Sequence, residues 1–294
     1  MKPFTLLLLT GFLLRLFLSF LPSFEIDMAG WIAWGERLAS FGPANFYSKE
    51  VWTNYLPGYL YVLWFLGWIR NLTQIPLEST VYQVILKLPA ILADLGITVF
   101  IFKILRERVG QKTALTASSL YLFNPALIFN SSVWGQIDSV FTFFLVAATY
   151  LLIETKRPIL ASLAFAASLI IKPQAAALLP VFVAYLFWQF GLKNFLKSVA
   201  VSVFLIFALS LPFFVKNPIL GLSQMFLQMT TDYPYTSLFA FNFWWIGGGW
   251  KNDSVVNFLI SDQAWGTVLW VISQIIILFW FFKNRSEGNF FLAA

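Results

Sequence analysis

Residues 81–102 read VYQVILKLPAILADLGITVFIF, with Lys87 and Asp94 as the only charges. An apolar helix needs about 20 residues to cross the hydrocarbon core of a bilayer, so the stretch has the length of a span. It is followed by KILRERVGQK (103–112), a basic turn of the kind found at a membrane edge. Outward from it, apolar runs recur at about 4–21, 113–130, 138–153, 159–171, 175–189, 194–215 and 264–282. The pattern predicts an all-α polytopic membrane protein of about eight crossings, with residues 1–294 as one transmembrane domain. Composition excludes a soluble globule: 60% of the residues are hydrophobic, 11% are charged and mean hydropathy is +0.78. With neither Cys nor His, the chain has no disulfide, thiolate nucleophile or imidazole base, so acid–base chemistry falls to its 13 carboxylates. The net charge of +6 comes from Lys and Arg that punctuate apolar runs, not from a basic soluble face, which excludes nucleic acid as a partner.

Cytoplasmic loops carry an excess of Lys and Arg. Lys2, Lys103, Arg106, Arg108, Lys112, Lys156, Arg157, Lys193, Lys197, Lys283 and Arg285 fall on one side, eleven in all, which is assigned to the cytoplasm. The other side carries six (Arg37, Lys49, Arg70, Lys172, Lys216 and Lys251) together with most of the acidic residues. This partition requires that the apolar segment 55–69 does not cross, making 22–80 one large external loop with juxtamembrane helices. Within it, DMAGWIAWGERLASF (27–41) places Met28, Trp31, Ile32, Gly35, Leu38 and Ala39 on one helical arc, as in a helix lying in the interface plane.

Ionisable groups at membrane depth or at its edge are costly and mark functional candidates. Asp27, two residues after Glu25, opens the interfacial helix, where a carboxylate either meets a substrate presented from lipid or caps the helix. In NPALIFNSSVWGQID (124–138), Gln136 and Asp138 are spaced to bind sugar hydroxyls or a phosphate, and Trp134 offers an apolar sugar platform. A turn whose polar residues cap two helix ends is the plainer reading. Lys172, in IIKPQ (170–174), can neutralise a phosphate as a point charge or snorkel from a helix end, and Gln174 adds an amide. Arg15, Lys87 and Asp94 read first as structural. An Arg15–Asp94 pair between neighbouring helices would satisfy both, while Lys87, nearer the outer end, could also reach a phosphate. No GxxxxGK[ST] motif and no strand-bounded GxGxxG is present, which counts against a nucleotide or nucleotide-sugar donor.

Taken in order, FEID (24–27), YLPG (55–58), KLPAILADL (87–95), NPALIFNSSVWGQIDSVF (124–141) and IIKPQAAALLP (170–180) resemble membrane glycosyltransferases of the GT-C class. The resemblance is to the mannosyltransferase family related to the second GPI mannosyltransferase. It covers most of residues 20–190, and WGQID with KPQ is its most specific part. It implies a GT-C-like helical bundle and an inverting transferase that moves a hexose, mannose first among them, from a polyprenyl-phosphate donor to a lipid or glycan acceptor on the outer face. Asp27 then falls at the catalytic-base position and Asp138 at a second catalytic one, with Glu25, Trp134, Gln136, Lys172, Gln174 and Lys87 binding substrate. Glu25-x-Asp27 departs from a strict Asp-x-Asp pair, so no metal ligand is assigned and a divalent metal stays admissible; the lipid-linked donor is a co-substrate. Relatives continue through further helices beyond NFFLAA (289–294), so the chain is expected to be truncated at its C-terminus. Membrane lipids, donor and acceptor are the implied partners, in a multi-pass protein of the inner cell membrane in a prokaryote or the endoplasmic reticulum in a eukaryote. The competing readings are a transporter or flippase using Arg15, Lys87 and Asp94 as a charge relay, and an inactive scaffold subunit.

Overall fold

The computed structural model describes residues 2–48, 52–238 and 242–283; Lys49, Glu50, Arg285 and the terminal NFFLAA stretch lie outside them. The chain folds as α1 (Lys2–Leu18), α2 (Glu25–Phe41), α3 (Pro57–Thr73), α4 (Thr80–Val109), α5 (Gln111–Leu122), α6 (Pro125–Ile128), α7 (Asp138–Ile153), α8 (Pro158–Ile171), α9 (Leu179–Ser210), α10 (Pro218–Thr231), α11 (Phe243–Ile246) and α12 (Asp262–Lys283). A π-helical turn, Phe129–Trp134, precedes α7, and a 3-10 turn, Pro173–Leu178, joins α8 to α9. The helical expectation holds apart from a short antiparallel ladder of β1 (Val256–Phe258) with β2 (Ile260–Ser261) and an isolated bridge between Tyr235 and Asn252.

Three stretches among the described residues are long and apolar enough to cross a membrane: Thr80–Val109, Pro173–Ser210 and Asp262–Lys283. Helices α7 and α8 are apolar but only 16 and 14 residues long. The run 113–130, read as one span, is broken. Pro125 has no N–H to donate to a continuing helix, and the Asn124 side chain accepts from the Ala126 N–H at 2.9 Å, starting α6 afresh. The runs 175–189 and 194–215 are joined through α9 but parted at Gly191, whose φ of +72° interrupts the helical path.

Helices α2 and α3 lie side by side in the same direction: Trp31 packs edge-on against Tyr59, Gly35 sits against Gly67, and Arg70 pairs with Glu36 at 3.0 Å. The buried arc of α2 is Met28, Trp31, Trp34, Gly35 and Leu38: of the arc read from the sequence, Ile32 and Ala39 are only half-buried, and Trp34 is added. A Cβ on Gly67 would stand 2.2 Å from the Gly35 carbonyl oxygen, so the two backbones touch as small residues at helix crossings in membranes allow. Gly58, at the start of α3, is pressed as closely on the backbone of Ile170 and Ile171 at the end of α8.

The expected Arg15–Asp94 pair joins α1 to α4, at 3.1 Å with both side chains fully buried. At the far end of α4, Arg108 pairs with Glu154 at the end of α7, 2.7 Å away. Asp138 at the start of α7 pairs with Lys172 at the end of α8. Each end of α7 is therefore tied by charge, one beside a basic loop and the other beside the candidate site.

Candidate active site

Helix α2 opens at Phe24, whose side chain provides no cap, so Asp27 does not serve as the N-cap. It lies in the first turn, where its charge complements the helix dipole. Its Oδ2 accepts two bonds from the WGQID segment, from Trp134 Nε1 at 2.6 Å and Gln136 Nε2 at 2.5 Å. Trp134 ends the π-helical segment and Gln136 lies in the turn that follows it. Gly135 between them has φ of +89°, and a Cβ there would stand 2.9 Å from the Met28 methyl. The Asn130 carbonyl accepts the N–H groups of both Gly135 and Gln136, fixing the turn, and the Phe24 N–H reaches the Trp134 carbonyl at 3.3 Å.

Asp138 begins α7 with both oxygens engaged: Oδ2 accepts from Asn130 Nδ2 at 3.1 Å, and Oδ1 accepts from Lys172 Nζ. The polar residues of the segment bond to one another, to Asp27, to Lys172 and to Asp94, and the side-chain helix cap among them is Asn124. Lys172 is the C-cap of α8, in extended conformation, and Pro173 follows it. That break turns the ammonium sideways instead of letting it continue along a helix.

Asp27, Gln136, Lys172, Pro173 and Gln174 line one cavity of about 300 Å³, walled also by Trp31, Trp34, Trp52, Asn54, Tyr55 and Tyr233. The KPQ turn therefore sits at a polar cavity; of the two short runs read on either side of it, only α8 stays short, at 14 residues, while the second continues into α9 of 32. Pro173, Gln174 and Met229 are shared with an apolar groove of about 830 Å³ between α8, α9 and α10, lined by Leu169, Ile206, Leu222 and Phe226. Burial, with the Asp138 and Asp27 carboxylates nearby, holds the Tyr55 phenol well above its usual range. Burial and Asp27 act in the same direction on Tyr233. Both phenols are hydrogen-bond donors to whatever enters.

Four residues expected at the site are not on the cavity wall: Asp138, read as catalytic, reaches it only through Lys172, and the other three are placed elsewhere. Glu25 is exposed in the first turn of α2, off the cavity wall. Lys87 is 1% exposed and donates to the Ser19 and Leu21 carbonyls at 2.7 and 3.1 Å, satisfying backbone acceptors past the end of α1. Trp134 is packed between Phe24 and Phe129, with ring centroids 4.9 and 6.0 Å away, and its indole nitrogen is spent on Asp27. The aromatic wall is formed instead by Trp31, Trp34 and Trp52. Trp52, Asn54 and Tyr233 carried no local signal, since they reach the cavity only through folding of the two long loops. Tyr55 had one in its position beside the Pro57-Gly58 break.

A family model described as dolichyl-phosphate-mannose-protein mannosyltransferase matches residues 57–215, more than half of the chain. The matched stretch holds Gln136, Asp138, Lys172 and Gln174, and Asp27 precedes it. No curated protein and no solved structure matches the chain.

Proposed function

Because the chain belongs to the dolichyl-phosphate-mannose-protein mannosyltransferase family, we propose that it transfers a hexose, mannose first among them, from a polyprenyl-phosphate donor to a lipid or glycan acceptor, with inversion. The observation that carries the reading is one cavity holding a carboxylate held by two donors, Asp27, and a cation, Lys172, with an apolar groove running from it. With Oδ2 of Asp27 occupied, Oδ1 takes the proton of the acceptor hydroxyl as its oxygen bonds to the anomeric carbon. The bond from that carbon to the phosphate oxygen breaks, and polyprenyl phosphate leaves with the electron pair. Lys172 Nζ, with one of its three protons on Asp138, offers the others to the departing oxygens. A single displacement needs no enzyme nucleophile, and it inverts the anomeric centre.

In this reading Asp138 acts by aiming Lys172. Gln136 and Gln174 bind sugar hydroxyls, and the groove beside Gln174 takes the first isoprene units. No residue is assigned to a metal. Closer kinship with the second GPI mannosyltransferase is supported by the order of the WGQID and KPQ motifs. About eight crossings, with 22–80 and the cavity on the outer face, is the topology that puts a lipid-borne donor beside Asp27. A transporter is less well supported: Arg15, Lys87 and Asp94 are each bound to local partners and do not line a path across the membrane.

The test is transfer by the purified protein from polyprenyl-phosphate mannose and polyprenyl-phosphate glucose, reading the released lipid phosphate. Asp27→Asn removes the base at almost unchanged volume and is expected to cost about 10² to 10⁴ in rate with normal membrane insertion. Near-normal turnover by that variant would refute the assignment of Asp27 as base.

A further inference from the structure

The segment carrying Trp134, Gln136 and Asp138 is short of helical support: its π-helical turn ends at Trp134, and α7 begins only at Asp138. Behind it, on α4, sits Asp94, fully buried and not on the cavity wall. Its Oδ2 accepts from Ser131 Oγ at 2.7 Å and from Arg15 Nε at 3.1 Å. Its Oδ1 accepts from Ser139 Oγ at 2.5 Å and from Tyr121 OH at 3.3 Å. Two carboxylate oxygens offer about four acceptor sites, so Asp94 is saturated. A pair serving only to join α1 to α4 would need the Arg15 bond alone. The two serines are the surplus, and they stand at either end of the segment that holds Asp27's donors and Lys172's partner.

We propose that Asp94 is a positioning residue: one buried carboxylate that clamps Ser131 and Ser139 and so holds Trp134, Gln136 and Asp138 in register with Asp27 and Lys172. Arg15 supplies the buried counter-charge to Asp94, and Tyr121 fills the last acceptor site. The catalytic part of this assignment rests on the transfer reading above; the clamp itself does not. The bonds converge on α4, a 30-residue helix and thus one of the longer rigid elements, so the loop takes its geometry from the bundle rather than from its own backbone.

Asp94→Asn would strand Arg15 buried without its counter-charge and can fail by misfolding alone. The informative variants are therefore Ser131→Ala and Ser139→Ala, singly and together, which leave the Arg15–Asp94 pair in place. The double variant is expected to insert and purify normally, to lose about 10- to 100-fold in kcat for transfer from polyprenyl-phosphate mannose, and to keep KM within about threefold, since misplacement of reacting groups by about 1 Å costs on that order. An independent readout uses the Cys-free background: Ile137→Cys, 1% exposed within the clamped segment, should react with a maleimide at least about tenfold faster once both serines are gone, because local opening sets the rate. Unchanged labelling overturns the clamp, whatever the activity. Faster labelling with unchanged kcat overturns the role in catalysis. Faster labelling in a chain whose unsubstituted form transfers neither mannose nor glucose upholds the clamp and removes the transfer reading instead.

Discussion

At the scale of single residues, charge and chemistry pull the site together across long sequence separations. Lys172→Met is expected to lower turnover by on the order of 10² to 10³, the usual loss when one group stabilising a developing anion is removed. Asp138→Asn should cost less, about tenfold, because the cation stays but loses the partner that aims it. Turnover and binding of a labelled polyprenyl phosphate measure both, and unchanged values in the two variants would dissociate the pair from the donor. Tyr47 and Tyr55 yield a pH expectation. Burial raises both phenols above the value of about 10 that they have in an unfolded chain. The protonated form is therefore favoured by folding, and its contribution to stability is complete below about pH 10 and lost as pH rises from there towards the folded-state values. Melting temperature in detergent should fall above pH 10, and fall less steeply in Tyr55→Phe; an identical slope would remove Tyr55 as a cause. Much of this was legible in the sequence. FEID, WGQID and KPQ gave Asp27, Gln136 and Lys172 as membrane-edge polar groups beside breaks in apolar runs. What they could not give was partnership: that Gln136 bonds Asp27, 109 residues away, or that Trp134 serves Asp27 and not the sugar, depends on a turn whose direction Gly135 sets.

At the scale of elements, contacts between backbones decide where those residues stand. Gly58 is the clearest instance: a Cβ there would meet the Ile170 carbonyl at 2.5 Å and the Ile171 nitrogen at 2.7 Å, two residues before Lys172. Backbone cannot swing aside as a flexible side chain can, so Gly58→Ala must push α3 and α8 apart. The variant is expected to lose about 1–3 kcal/mol of stability and up to about 10² in turnover, measured by thermal unfolding and by the transfer assay. Gly266→Ala in α12 is the control, since the nearest atom to its added Cβ belongs to the Trp244 side chain, 4.0 Å away, and Gly266 does not line the cavity. Equal behaviour of the two variants would show that the α3–α8 contact does not position Lys172. Element positions were largely readable: α1, α4, α7, α8 and α12 fall on the apolar runs, and α2 buries four of the six residues of the expected arc. The failures have local causes. Residues 113–130 looked like one span because hydropathy outweighed Asn124-Pro125, a pair that ends one helix and caps the next. The strands at 256–261 lie in a loop whose aromatic content masked any alternation.

At the scale of the molecule, which helix ends face which side of the bilayer can be measured without any substrate. Two ion pairs mark opposite ends of α7: Asp138 with Lys172 beside the cavity, and Glu154 with Arg108 beside the basic loop that follows α4. Basic loops are retained in the cytoplasm, so the proposed orientation has the cavity outside. That orientation holds only if α3, 17 residues long and running alongside α2, does not cross. Were it a span, the loop after α4 would move outside with all its positive charge, and every later loop would change sides. Single Cys probes at Ser48 and Glu78, before and after α3, are therefore both expected to react with an impermeant thiol reagent added outside, and a probe at Gln111 to be protected. Glu78 is preferred to its neighbour Ser79, whose side chain accepts the Tyr82 N–H and caps α4, a bond worth about 1 kcal/mol. The parent chain has no Cys to give background. Labelling at Ser48 without Glu78, and with Gln111 accessible, would mean that α3 crosses. The cavity that joins Asp27 before α3 to Lys172 after it would then need a different arrangement of the first three helices, and the proposed base and cation would no longer share a site.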